Sequence, residues 1–374
     1  MEEILSLRQE NSKTFDIGKG KKRLDIFMGA VHYKGDYTNS NEAWKDIDLA
    51  WEGNRITKAP YELTLDSQKL TVKNKKTSEV STIELLSSKP VGLKWEIIPE
   101  HTRISFRHIL PPDKIPFEAK FKVTGKIPFG TRAFDNDGEL LLGATLVDGI
   151  LTEKLSSIVG KETGIIRPAK GDIRIDPTWQ VGTGTDDCQR KLDPATFWDL
   201  TYSRFIAGRY GVGNAKIGAG ARFTNITIPK NSSILSAYLR LICYQSMDGV
   251  TPKTRISAEQ VDDAPTFADD KDVFDARWAN RTAQVDWDDI EIWTYFNAYN
   301  SPDIKTVIQA IIDRAGWVSG NDIVIFWEDF EGRSVGDQDS RFAHAYELGV
   351  EVAPQLIITY TPLTPAVWDF FTWG

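Results

Sequence analysis

Cysteine is nearly missing from the chain: Cys188 and Cys243 are the two in 374 residues. That excludes a disulfide framework and a cysteine-built metal cluster, and leaves open whether the two pair. Histidine is almost as scarce. His32, His101, His108 and His344 are scattered, no two of them at metal-ligand spacing, and each reads as a strand-surface or half-buried residue. No apolar run approaches the length of a membrane span. The opening MEEILSLRQENSK has no apolar signal-peptide core and carries acids where a signal carries bases. The expectation is therefore a chain made in the cytoplasm, without membrane insertion, which leaves a cell by some route other than general secretion.

Positive charge is in deficit as well. With 45 Lys and Arg against 53 Asp and Glu, the net charge is −8 and the pI about 5.3. A phosphate-binding surface needs concentrated Lys and Arg, so a nucleic-acid partner is not expected. Enzyme motifs are missing too. There is no GxSxG elbow, no HExxH pair and no phosphate loop of the G-x-x-x-x-G-K-[ST] kind.

What is present is aromatic and strand-forming. Short alternating segments such as Leu24-Asp25-Ile26, Tyr61-Glu62-Leu63 and Ile104-Ser105-Phe106 recur at spacings of about ten residues, separated by turns such as Glu52-Gly53-Asn54. The pattern predicts a mostly β chain of two antiparallel, sandwich or jelly-roll-like domains. Residues 1–14 read as a polar arm, 15–170 as an N-terminal β domain, 171–362 as a C-terminal sandwich and 363–374 as a tail. The glycine-rich stretch from Gly208 to Gly220 reads as a loop. In the second domain, Leu235, Ala237, Leu239, Leu241 and Cys243 line one face of a strand. One amphipathic helix is expected at 301–316: Ser301 as its cap, Ile304, Val307, Ile308, Ile311 and Ile312 as its apolar face, and Gly316 ending it in the left-handed conformation. The apolar run Ile323 to Trp327 then suits a strand covered on both faces.

Several clusters could carry chemistry. Glu259, Asp262, Asp263 and Asp269, with Asp270 and Asp272, form an oxygen-rich loop of the sort that can cage Ca²⁺, without the spacing of an EF-hand; its plainer reading is a solvated acidic loop. Asp286 and Asp288 flank Trp287, with Trp293 nearby. Carboxylates beside aromatic faces offer a sugar both hydroxyl acceptors and a stacking surface, although tryptophan in a sandwich commonly belongs to the core. Glu328, Asp329 and Glu331 follow the buried strand, where a carboxylate pair could serve a glycosidase. Trp368, Phe370, Phe371 and Trp373 crowd the tail after Pro362 and Pro365, and suit an anchor on another subunit.

The segments FTNITIPKNSSILSAYLRL (223–241), ISAEQVDDAPTF (256–267), Pro302–Trp327 and APQLIITYT (353–361) resemble, in order, the DNRLRE-type domain. That domain is a carbohydrate-module-like β-sandwich of phage virions and of bacterial wall-associated YD-repeat surface proteins. The stretch around Val31-His32-Tyr33-Lys34 and Trp44-Lys45-Asp46-Ile47-Asp48 resembles the segment that precedes such domains. The resemblance implies a non-enzymatic structural or adhesive component, foremost a virion part such as a capsid decoration, head fibre or tail appendage. It would be homo-oligomeric, with other assembly proteins and surface glycans as its partners. A carbohydrate-binding module of a bacterial surface system is the alternative, and a glycan-cleaving enzyme the third.

Overall fold

The computed structural model describes residues 1–91, 94–126, 129–135, 138–160, 165–180, 185–193, 196–211, 213–247 and 251–362. The protein is mostly β, every strand pairing among the described residues is antiparallel, and two compact units divide the chain. Met1–Met28 belong with Gly184–Gly374, and Gly29–Thr183 form the other unit. This differs from the linear division expected at 14 and 170. Residues 1–14 are no free arm, because Ser12–Asp16 pairs with Lys22–Phe27, and that strand pairs in turn with Gln355–Thr361. Ile173–Gln180 likewise lies between Arg103–Leu110 and Phe129–Asp135, so the boundary falls after it.

In the first unit the longest strand, Ser233–Gln245, joins two halves of one hydrogen-bonded path. Its first part pairs with Gln355–Thr361 and its end with Ser340–His344. Ala237, Leu239, Leu241 and Cys243 are buried as their alternation predicts, whereas Ile234 takes the place of Leu235 because the register shifts between Ile234 and Ser236. From Ser340–His344 the path continues through Arg204–Tyr210, Ala215–Phe223, Ile323–Glu328 and Thr254–Ala258 to Val285–Trp287. The stretch from Gly208 to Gly220 is thus two strands and a turn rather than a loop. Glycine is required within the second of them, since a Cβ on Gly218 would meet Glu328 and one on Gly220 would fall 2.8 Å from the Phe267 ring. Cys188 and Cys243 are both buried free thiols.

Among the described residues there are two α-helices where the sequence predicts one. Helix α1, Lys271–Ala279, rises from the acidic stretch, with the Asp270 side chain accepting from the Asp272 and Val273 N–H groups. Helix α2, Lys305–Ile312, is shorter than 301–316. Its buried face is Val307, Ile308, Ile311 and Ile312, which packs on Ser233–Gln245 as the spacing requires. Ser301 is not its cap; its hydroxyl accepts from Leu239 N–H, and Asp303 meets the Lys305 N–H. Gly316 does not adopt a positive φ either. It is small because the Asp262 carboxylate occupies the space a Cβ would need.

Among its described residues the second unit has two facing sheets and a small two-stranded ribbon of His32–Tyr33 with Lys45–Asp46. Seven strands run in the order Gly143–Val147, Ile150–Leu155, Phe117–Thr124, Val80–Lys89, Lys69–Asn74, Tyr61–Asp66 and Arg55–Ile56; five run Lys94–Pro99, Arg103–Leu110, Ile173–Gln180, Phe129–Asp135 and Gly138–Leu140. Leu63, Val72, Ile83 and Phe121 from the one meet Ile104, Phe106 and Ile175 from the other in a single core. Among the described residues, no helix is long and apolar enough to cross a membrane.

Candidate functional site

The acidic stretch after Thr254–Ala258 does not converge. Glu259 is buried and takes three hydrogen bonds from the Arg277 guanidinium, at 2.6 to 3.0 Å. Asp262 accepts from Arg314 Nε at 2.7 Å, Asp263 from the Asp322 N–H, and Asp269 from the Trp198 indole. Each carboxylate expected in a Ca²⁺ cage therefore has a different partner. Among the described residues, no group of three or more His, Cys, Asp or Glu side chains could hold a metal ion.

The tryptophan pair expected as a sugar platform faces inward. Trp287 and Trp293 are buried, and their rings lie 5.8 Å apart and 5.5 and 5.8 Å from Trp327. Tyr299 stacks on Trp293 at 4.9 Å and 9°. Asp286 and Asp288 are held by arginines: Arg333 grips Asp288 with two bonds of 2.7 and 2.8 Å, and Arg255 Nε reaches Asp286 at 2.9 Å. Asp286 and Trp287 are separated by the alternation of the strand Val285–Trp287, since neighbours in a strand point to opposite sides. The tail residues Trp368, Phe370, Phe371 and Trp373 lie outside the described residues.

Glu328, at the end of Ile323–Glu328, is buried and accepts from Gln284 Nε2 at 3.0 Å and from the Phe330 N–H at 2.5 Å. Burial pushes its carboxyl up to about 7. Asp329 is also raised by burial, while Glu331 is engaged by Arg255 and Arg281. A folded pKa above the unfolded value of 4.5 means that the group keeps its proton in the fold while the unfolded chain loses it. Stability then falls as pH rises from 4.5 to about 7, by about 3 kcal/mol, and no further above that. Glu328→Gln, neutral and nearly isosteric, should remove this loss. Thermal melts should find the variant more stable than wild type by about 3 kcal/mol at about pH 8 and equal to it near about pH 4.5. A difference of the same size at both pH values would contradict the assignment.

The aromatic groups that do face outward come two residues later than expected. Arg341, fully buried, donates to the Ile290 and Glu291 carbonyls, and Trp293 plugs the core. The Thr294 N–H bonds the Tyr299 hydroxyl at 2.7 Å. Phe296 N–H donates to Cys243 O, and Cys243 N–H to Asn297 O, both at 2.9 Å. Clamped at both ends, the chain turns through Phe296 at φ 64°, a left-handed conformation that a bulky residue adopts only under constraint. The turn throws the Tyr295 and Phe296 rings outward, 58% and 55% exposed, 4.9 Å apart and steeply inclined to each other.

Behind them stands His344, 5.0 Å from Phe296 and 5.2 Å from the half-buried Tyr244. Burial pushes His344 down to about 4, so this backing is uncharged at neutral pH. The Arg204 guanidinium sits 5.0 Å over the Tyr244 ring, within cation–π range.

The chain matches no known protein family and no curated protein.

The arrangement offers two exposed stacking faces on a fixed backbone. Such groups bind by contact and hydrogen bonding. The aromatics of Trp293-Thr294-Tyr295-Phe296 are plain in the sequence. Which rings turn out is set by the left-handed turn, and no local rule predicts one for phenylalanine.

Proposed function

We propose that the protein is a non-enzymatic adhesive or structural component of a surface assembly, foremost a phage-like virion, and that the Tyr295–Phe296 surface is where it holds a glycan. The exposed aromatic pair carries this reading. Two large rings held outward by a constrained backbone lose little entropy on binding, which is what a preorganised contact surface needs. Sugar rings stack on aromatic faces. The DNRLRE-like segments support the adhesive role, and other assembly proteins would be its further partners. The third reading, glycan cleavage, is not favoured by an available carboxylate pair: Glu331 is engaged by two arginines, and Glu328 is buried.

A glycan array followed by titration tests the proposal. Tyr295→Ala and Phe296→Ala should each weaken the strongest glycan by at least about tenfold, equivalent to about 1.4 kcal/mol, with no release of reducing sugar by the wild type. Unchanged affinity in both variants would remove the site, and reducing-sugar release would remove the non-enzymatic role.

A further inference from the structure

Sheet edges are sites where a chain can pair with another, and most of them in the second unit are blunted. In the seven-stranded sheet, one edge is Arg55–Ile56, only two residues long. In the five-stranded sheet, one edge is the three-residue Gly138–Leu140; the other, Lys94–Pro99, contains Glu96 and ends in proline. Shortness, charge and proline are the usual protections of an edge. Gly143–Val147 has none of them. It reads Gly-Ala-Thr-Leu-Val, five residues without a charge, a proline or a register shift.

This strand pairs on one side with Ile150–Leu155, across a tight turn in which Asp148 and Gly149 both have positive φ. Among the described residues no strand pairs with its other side, and all five of its residues are exposed. Leu146 is 59% and Val147 64% exposed. Exposed apolar side chains on an open edge mark an interaction site.

We infer that Gly143–Val147 pairs antiparallel with the same strand of a second copy, joining two seven-stranded sheets into one across a twofold axis. The strand is complementary to itself. With Thr145 on the axis, Gly143 lies opposite Val147 of the second copy and Ala144 opposite Leu146, a small residue against a large one at each step. The two Thr145 side chains meet at the centre, where cross-strand threonines hydrogen-bond. Such an interface is isologous and closed, so pairing stops at the dimer. A foreign strand would use the same backbone groups but would not need this matching. The inference stands apart from the glycan reading, although a dimer would present two copies of that surface and gain avidity from it.

Sedimentation of the full chain at micromolar concentration should give twice the monomer mass. Thr145→Lys sets like charges opposite each other and should give a monomer with an unchanged melting temperature; Thr145→Asp should do the same. Mixing the two variants should restore the dimer through the opposite pair. Amide exchange supplies a measurement that needs no variant: protection within 143–147 should rise with protein concentration. A monomeric wild type, a Thr145→Lys dimer, no reassociation on mixing, or concentration-independent exchange at these amides would each overturn the inference.

Discussion

Trp293→Ala should destabilise the first unit by about 3–5 kcal/mol, the range for deleting a large aromatic from a core. The side chain is 1% exposed and packed among Trp287, Trp327 and Tyr299. Trp327 extends the stack to Phe205, 6.0 Å away, and fixes its own indole on the Thr254 hydroxyl at 2.9 Å. Removing the central ring leaves a cavity that neither the strands nor the clamped loop can close. Trp293→Phe should cost much less, because it retains most of the apolar volume and the indole N–H has no hydrogen-bond partner among the described residues to lose. Chemical denaturation of both variants checks the order. If Trp293 were instead a sugar platform, the alanine variant would melt near wild type and lose only binding.

Arg277→Ala should cost a similar amount, about 3–5 kcal/mol, for an electrostatic reason. Its guanidinium meets Glu259 through two nitrogens and also donates to the Thr266 and Pro265 carbonyls, with Phe267 stacked 4.6 Å from its centre. Truncation leaves the Glu259 carboxylate buried without its counter-ion, and breaking one side of a buried pair is far more costly than replacing both. The double variant Arg277→Met with Glu259→Leu should therefore recover most of the loss. Denaturant midpoints of the single and double variants decide it. A single-variant loss under about 1 kcal/mol would mean that water or another cation already serves Glu259.

Local pattern makes much of the first unit legible. The alternation in Ser233–Gln245, the unbroken run in Ile323–Glu328 and the apolar face of α2 each depend on neighbours in the sequence, and, Leu235 apart, each is where periodicity puts it. Helix α1 is hidden because only Phe274 and Arg277 of its nine residues are buried, and an arginine does not register as core. The Asp270 cap is the available signal. The strands around Gly218 and Gly220 are hidden because glycine reads as a turn residue, whereas here it makes room for Glu328 and Phe267. The acidic loop and the Asp286–Asp288 pair look like sites because acids cluster in the sequence. Their arginine partners come from as far away as Arg314 and Arg333, and nothing local announces them.

The pairing of Lys22–Phe27 with Gln355–Thr361 also bears on how the chain is made. During synthesis the first 28 residues leave the ribosome long before the strand that they complete. Gly29–Thr183 follows with all its partners in hand, and its contacts are nearer in sequence. The second unit can therefore fold while the first waits, holding the edge of Lys22–Phe27 open until Gln355–Thr361 has emerged. Long-range pairing of this kind is slow, because the loop must close before any contact rewards it. Protection of the early hairpin from misassociation in that interval falls to its own charges: Lys13, Asp16, Lys22, Arg23 and Asp25 are spread along both of its strands.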